Sequence, residues 1–463
     1  MPPSHHSSDP TCFGHSFSIW KAAVDAVDAR RLVEQAVDVS EETIVLGDDV
    51  IDRACVRRVA VVGGGKAAAA MAQGFEAAWG NRFAARNNLH GWINVPAGSE
   101  RPLQYLHSHT ARPAGVNEPT AAAVDGTRQI LQTVSTLEPD DLCIVLLSGG
   151  GSALLTAPRR GISLSEKVDV TRWLSGRGAN IEQLNTVRKH LSDVKGGRLL
   201  NACRAGRLVT LIISDVLGDP VDIIASGPTV VDSSTAEDAL RILREFDPDQ
   251  SLPESVYQIL TDEIEQRVPQ GESSLNVSCQ HSLSIIGNNA TAVDAAGVRA
   301  EQLGYSHAMQ SATRSEGEAE QVGGHLARMA IRMLREPGPN CLISGGEPVV
   351  NLVPAARRGR GGRNQQLVLS ALARLIKEGN LTQSERSRLT ILSGGTDGED
   401  GPTDAAGAVL NDTVWSNAEA LDLDPHDYLS RNDAYRFFER CGGLIQTGPT
   451  NTNVCDVRVI TIG

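Results

Sequence analysis

Two loops in this chain carry residue types suited to opposite halves of one reaction. Gly359-Arg360-Gly361-Gly362-Arg363-Asn364-Gln365-Gln366 is glycine-rich and cationic, and Thr396-Asp397-Gly398-Glu399-Asp400-Gly401-Pro402-Thr403-Asp404 is rich in carboxylates. Backbone amides without a Cβ, flanked by arginine, suit a polyphosphate. Clustered aspartates suit the hard divalent cation that accompanies one. The pairing points to phosphoryl transfer, with Gly361, Gly362 and Asn364 as candidate phosphate contacts, Arg363 as a charge-neutralising group, and Asp397 and Asp400 as candidate metal ligands. The same aspartates and glycines also form turns, and the two readings are compatible.

Three further strand-to-glycine junctions have the same character. Val59-Ala60-Val61-Val62 runs into Gly63-Gly64-Gly65-Lys66 and an alanine-rich helix. An anion at Gly64 and Gly65 would balance both the helix N-terminus and the charge of Lys66. The run fails as a Walker A loop because Ala67 replaces the Ser or Thr, and it lacks an acidic ribose partner because the next strand candidate ends Asn94-Val95-Pro96. Leu142–Leu147 leads into Ser148-Gly149-Gly150-Gly151-Ser152. A tight turn needs one glycine, so Gly149, Gly150, Gly151 and Ser152 read as a ligand-facing nest. A nucleophile elbow at Ser152 lacks its final glycine. After Leu208–Ser214 comes Asp215, placed to take a proton or hold a metal, or else to cap the following segment. Arg188, Lys189, Lys195 and Arg198 add a local cationic patch. Histidines give no zinc signature, since His107-x-His109 has neither a nearby cysteine nor a third ligand.

These loops need a scaffold of buried strands spaced by helices. Candidates are residues 59–62, 91–95, 142–147 and 208–214, with helices over 17–39, 119–137 and 164–175, the last opened by the capping box Ser163-x-x-Glu166. This is an α/β pattern with a parallel sheet. The stretch from Asp247 to Ser274 is proline- and charge-rich and permits one helix, so a domain boundary is placed near residue 250. Beyond it, strands are expected over 283–287, 307–311, 341–344, 348–353, 389–393 and 456–461. The short spacing between 341–344 and 348–353 implies an antiparallel pair and a mixed sheet. The reading is therefore a tail over residues 1–14, an N-terminal Rossmann-like domain over 15–250 and a smaller mixed α/β domain over 251–463, whose last strand could return to the first domain.

Composition bounds the partners. The 463 residues carry a formal charge of −13, with a pI near 5.4, which argues against nucleic acid or an anionic membrane surface as the main partner. Eight scattered cysteines without a C-x-x-C motif fit reduced thiols and a cytoplasmic location. No run approaches the roughly 18 apolar residues of a membrane span.

The motifs together resemble the class II glycerate 2-kinase family. Those carrying the likeness are Gly63-Gly64-Gly65-Lys66, Ser148-Gly149-Gly150-Gly151-Ser152, Asn185-Thr186-Val187-Arg188-Lys189-His190 with Lys195-Gly196-Gly197-Arg198, and Ser214-Asp215-Val216 with Ser226-Gly227-Pro228-Thr229. Ser344-Gly345-Gly346-Glu347, Gly361-Gly362-Arg363-Asn364-Gln365, Asp397-Gly398 with Asp400-Gly401-Pro402-Thr403-Asp404, and the closing Thr447-Gly448-Pro449-Thr450 extend it in order to the C-terminus. The resemblance implies a C-terminal domain of the MOFRL type and the reaction of ATP with D-glycerate to give 2-phosphoglycerate, with Mg²⁺ or a similar ion; monomer and homodimer both stay open. Lys66, Asp215, Arg363 and Asp397 are then the candidate catalytic residues, and Asp215, Asp397 and Asp400 the candidate metal ligands. Gln366 stands where the family usually has Glu, so no carboxylate role is carried over there. The alternatives are an NAD(P)H-dependent hydroxypyruvate reductase, which the missing acidic ribose partner disfavours, and a non-catalytic small-anion sensor.

Overall fold

A computed structural model describes residues 12–116, 118–266 and 279–463. Most of the tail expected over residues 1–14 lies outside them, but Cys12 already begins a helix that runs to Ala26. The chain divides into two compact units, residues 29–286, and residues 287–463 together with the segment before residue 29.

The first unit starts with an antiparallel meander of three short strands, β1 (Val37–Val39), β2 (Thr43–Leu46) and β3 (Asp49–Asp52). Its main sheet contains β4 (Val59–Gly64), β5 (His90–Pro96), β6 (Leu106–Arg112), β7 (Leu142–Leu147), β8 (Arg207–Ile213) and β9 (Gln280–Gly287). Their spatial order is β6-β5-β4-β7-β8-β9, the order of a doubly wound dinucleotide-type fold. The pairs β4–β5, β5–β6, β4–β7 and β7–β8 are parallel. Every residue of β4 and β7 is buried, which is why both read as continuous apolar runs rather than alternating ones. Strand order reverses between β4 and β7, so their carboxyl ends open the crevice where such sheets bind ligands. Both expected glycine junctions follow these two strands.

The second unit holds β10 (His307–Gln310), β11 (Cys341–Gly346), β12 (Leu389–Gly395), β13 (Gly407–Leu410), β14 (Leu444–Ile445) and β15 (Asp456–Ile462), ordered β10-β11-β15-β12-β13-β14. β10 and β11 pair parallel, while β15 runs antiparallel to both β11 and β12. The sheet is mixed, as expected, but for a different reason. Residues 348–353 form no strand; they contribute one isolated bridge, Val349 to Glu318. The antiparallel partner is the final strand, which fills the centre of this sheet instead of returning to the first unit.

Two boundary expectations also change. The division falls after residue 286 rather than near 250. Of the charged, proline-bearing stretch, residues 267–274 lie outside the described residues, and the described part holds a surface helix, Glu254–Gln266, introduced by a turn in which Asp247 accepts from Ser251 N, Leu252 N and the Tyr257 hydroxyl. The chain still has to supply β9 to the first sheet before leaving it. At the other end, the helix Cys12–Ala26 belongs with the second unit. Its wholly buried Trp20 donates to Gly394 O at 3.2 Å, and the hydroxyls of Ser16 and Thr461 meet at 2.7 Å.

Candidate active site

In the first unit, the loops after β4 and β7 are laced together. Lys66 N donates to Gly149 O at 2.8 Å, Gly65 N to Asn94 O at 3.2 Å, and Ala67 N to the Ser148 hydroxyl at 3.0 Å. Gly150 has a left-handed backbone, φ 78°, which a side chain disfavours. A Cβ there would lie 3.1 Å from Arg112 Nη2 and 3.5 Å from Lys66 Cγ. A Cβ on Gly149 would run into the Asp215 carboxylate. Two consecutive glycines are thus bordered by two cations on one and a carboxylate on the other, an arrangement that can hold an oxyanion and accept a proton beside it.

Not every expected contact faces this nest. Gly64 is the buried last residue of β4, with Leu155 and Asn94 O where its Cβ would be, so it serves close packing. Gly151 packs against Ala225. Ser152 pairs its hydroxyl with that of Ser226 at 3.1 Å, and its carbonyl accepts from the buried Lys195 ammonium at 2.9 Å. Ala225, Ser226 and Gly227 form a left-handed run, with φ of 51°, 61° and 58°. Two successive non-glycine residues in that region cost about 1–3 kcal/mol each, a strain typical of sites that hold a ligand or a neighbouring side chain in place.

Arg112, at the end of β6, was not legible from sequence. Its strand alternates polar residues and resembles neither the buried runs nor a glycine junction. Burial lowers the pKa of its guanidinium, and Nη1 donates to Val116 O. The residue pair Arg112-Pro113, which stops a strand with a cation, is the only signal the sequence offers.

In the second unit the cationic loop and the carboxylate loop do come together, but they satisfy each other. Asp400 is buried at the start of the helix Arg363–Arg374, accepting from Asn364 N at 3.0 Å, Asn364 Nδ2 at 3.3 Å and Gln365 N at 2.8 Å. Burial raises its carboxyl pKa to about 7. Gly362 N donates to Gln365 Oε1, and the buried Asn364 side chain also accepts from Ser393. The amides of Gly362 and Asn364, expected to greet a phosphate, are therefore occupied by Gln365 and Asp400, and Asp400 is a helix cap with both oxygens used, not an open metal ligand. Arg360 likewise turns to Asp404 and lies over the Tyr435 ring. Gln366 donates to Glu320 and Leu429 O, so a glutamate here would set one carboxylate against another.

Arg363 keeps a different geometry. Its fork binds Asp456 through Nε and Nη2, Nη1 donates to Glu347, and the side chain remains about one-third exposed. Burial works against its charge, but Asp456 and then Glu347 outweigh this and raise its pKa. Asp456 was missed because it opens an apolar strand and looks like a strand-end residue. Asp397 is partly exposed, with Oδ1 accepting from Glu399 N at 3.1 Å. Among the described residues no three His, Cys, Asp or Glu side chains converge as a metal-holding group.

The chain matches a domain of unknown function (DUF4147) over residues 15–261 and the MOFRL family over residues 340–456. It is 40% identical over 387 residues to a glycerate kinase of Macaca fascicularis, covering 74% of this chain and 94% of that protein. It is 37% identical over 407 residues to a D-glycerate 2-kinase of Thermotoga maritima, covering 86% and 89%. A putative hydroxypyruvate reductase of Agrobacterium vitis is 36% identical over 94% of each chain. Among solved structures, a glycerate kinase from Thermotoga maritima superposes with a TM-score of 0.80 at 33% identity, over 97% of this chain and 99% of that one. With both halves matched and its relatives aligned over most of their length, the chain belongs to the class II glycerate kinase family and carries a C-terminal MOFRL domain.

Proposed function

We propose that the chain is a glycerate 2-kinase, transferring the γ-phosphoryl group of ATP to the C2 hydroxyl of D-glycerate. The observation that carries this reading is the glycine nest at the β4/β7 switch point, with Lys66 and Arg112 against Gly150 and Asp215 against Gly149. Phosphoryl transfer asks little covalent chemistry of a protein; it asks for in-line positioning and charge neutralisation. Lys66 and Arg112 neutralise an oxyanion at the nest. Asp215 takes the proton of the attacking hydroxyl as the new O–P bond forms and the bond to the leaving ADP oxygen breaks. Arg363, pre-oriented by Asp456, presents its remaining donors to a substrate anion. Asp397, with one oxygen already engaged in its own loop, orients that loop or the ion that arrives with the nucleotide. The residues at the nest suit a phosphate group, and Mg²⁺ or a similar ion enters with the nucleotide substrate.

A reductase would need a ribose-binding carboxylate after β5. That strand ends Asn94-Val95-Pro96, with the Asn94 amide buried against Leu154 O. No described helix is long and apolar enough to cross a membrane, and the seven described cysteines are free thiols, in keeping with a cytoplasmic enzyme. The test is ADP formation by purified protein with ATP and Mg²⁺, compared between D-glycerate, L-glycerate and no acceptor. D-glycerate-dependent ADP supports the reading; hydroxypyruvate-dependent oxidation of NADH or NADPH without ADP formation contradicts it.

A further inference from the structure

The helix Leu164–Gly176 buries Val170 and Leu174 against Val187 and Leu191, and it buries a lysine as well. Lys167 is hidden from solvent, and its Nζ has no hydrogen-bond partner. An ammonium placed there gives up its hydration with nothing in return, and burial draws its pKa down to about 7. The charges acting on it are Arg188, Asp193 and Arg198. Lys195, wholly buried, feels both Arg188 and Lys167. Arg198 and Arg159 are already engaged with Glu263, and Arg159 also approaches the half-exposed Asp193. That leaves three basic side chains near one another, Lys167, Arg188 and Lys195, with the Asp193 carboxylate beside Lys167.

The cluster adjoins the nest through specific bonds. Lys195 Nζ donates to Ser152 O at 2.9 Å and Ala225 O at 3.2 Å. Arg188 follows Asn185 by three positions on the helix Ile181–His190, which sets both on one face. Asn185 Oδ1 accepts from Ser226, whose hydroxyl meets that of Ser152.

We infer that Lys167, Arg188 and Lys195 form a pocket for a small oxyanion, a carboxylate or phosphate group, next to the strained Ala225-Ser226 turn. The bound oxyanion supplies the acceptor that Lys167 Nζ lacks and favours the charged form that burial alone disfavours, while the Arg188 fork provides planar recognition. The inference goes beyond the kinase reading, because such a pocket needs neither nucleotide nor turnover.

The test uses the full chain without nucleotide, with inorganic phosphate and D-glycerate as separate probes, read by calorimetry and thermal melting. At least one probe binds saturably, and Lys167→Met weakens it tenfold or more while leaving the probe-free melting temperature equal or higher, because a desolvated amine has been removed. Arg188→Gln weakens the same probe, which guards against a folding defect in the first variant. Lys66→Met retains the Lys167-dependent binding, which separates this pocket from the nest. Loss confined to phosphate identifies a phosphate subsite, and loss confined to D-glycerate a carboxylate subsite. The inference is overturned if neither probe binds the wild-type chain, if Lys167→Met binds both probes as the wild type does, or if it melts lower without a probe. Turnover is measured separately, so a failure of the kinase reading leaves this outcome intact.

Discussion

Arg363 and Asp456 meet fork to fork, Nε to Oδ2 at 2.7 Å and Nη2 to Oδ1 at 2.9 Å, and Glu347 takes Nη1 at 2.7 Å. Asp456 is wholly buried, so the pair fixes the arginine plane while about one-third of the arginine side chain stays exposed. Lysine can replace the charge but not the planar fork. Arg363→Lys should leave the fold intact and lower kcat/KM by at least 10², about 2.7 kcal/mol of transition-state stabilisation. Arg363→Ala should add a loss of about 3–5 kcal/mol in stability, because it strands a buried carboxylate. Near-normal kcat/KM in the lysine variant would remove Arg363 from the mechanism.

The nest makes a second demand. Gly149 is not among the left-handed glycines, so alanine there meets no backbone strain, but its methyl would occupy the place of the Asp215 carboxylate. Gly149→Ala should cost about 1–3 kcal/mol in stability from overpacking and lower kcat/KM more than tenfold by displacing Asp215. Turnover within twofold of wild type would show that the position of Asp215 does not matter. Lys66→Met should cost at least 10² in kcat/KM on the same argument as for Arg363.

Asp400 should behave as a cap. Asp400→Ala leaves Asn364 N, Asn364 Nδ2 and Gln365 N without their buried acceptor, at about 1–3 kcal/mol for each donor that finds no replacement. The expected result is a melting point lowered by several degrees, with the Mg²⁺ concentration for half-maximal activity unchanged. A tenfold shift in that Mg²⁺ requirement, with stability unaffected, would restore the metal-ligand reading.

Lys167 gives a pH signature. Its folded pKa, about 7, lies below the value of an unfolded lysine, so between about pH 10 and pH 7 the unfolded chain holds a proton that the folded chain does not. Stability should therefore fall as pH drops through that window, by at most about 1.4 kcal/mol per pH unit from this group, and level off below pH 7. Arg188, Lys195, Arg198 and Asp193 surround it, and of these Lys195, whose pKa burial also lowers, adds a slope of the same sign. Denaturant unfolding of Lys167→Met across this range should show a shallower dependence. An unchanged slope would mean that Lys167 stays charged when folded.

The sequence announces what is local. β4 is an apolar run that closes on glycine, β7 and β8 are apolar runs followed by Ser-Gly and Ser-Asp, and Ser163 caps its helix through Glu166 as its spacing implies. What it hides is pairing at a distance. Asp456–Ile462 reads as an ordinary terminal strand, and nothing in it states that β11 and β12 lie on either side. Residues 348–353 have strand composition but lie in a loop, because β15 already occupies the edge of β11 they would need. The same limit explains Asp400. Residue type and turn context suggest an ion ligand, whereas its partners are amides of a helix that begins far earlier in the chain. Arg112 escapes for a related reason, since only the parallel order of β6, β5 and β4 brings its strand to the nest side of the sheet.

Phosphorylation of glycerate at C2 has one direct test. Incubation of the purified protein with D-glycerate, ATP and Mg²⁺, with products resolved by ³¹P NMR, tests reaction and regiochemistry together. A glycerate 2-kinase gives growth of a 2-phosphoglycerate resonance matched by ADP; a 3-phosphoglycerate resonance, or no phosphorylated product while hydroxypyruvate is reduced at the expense of NADH or NADPH, would contradict that function.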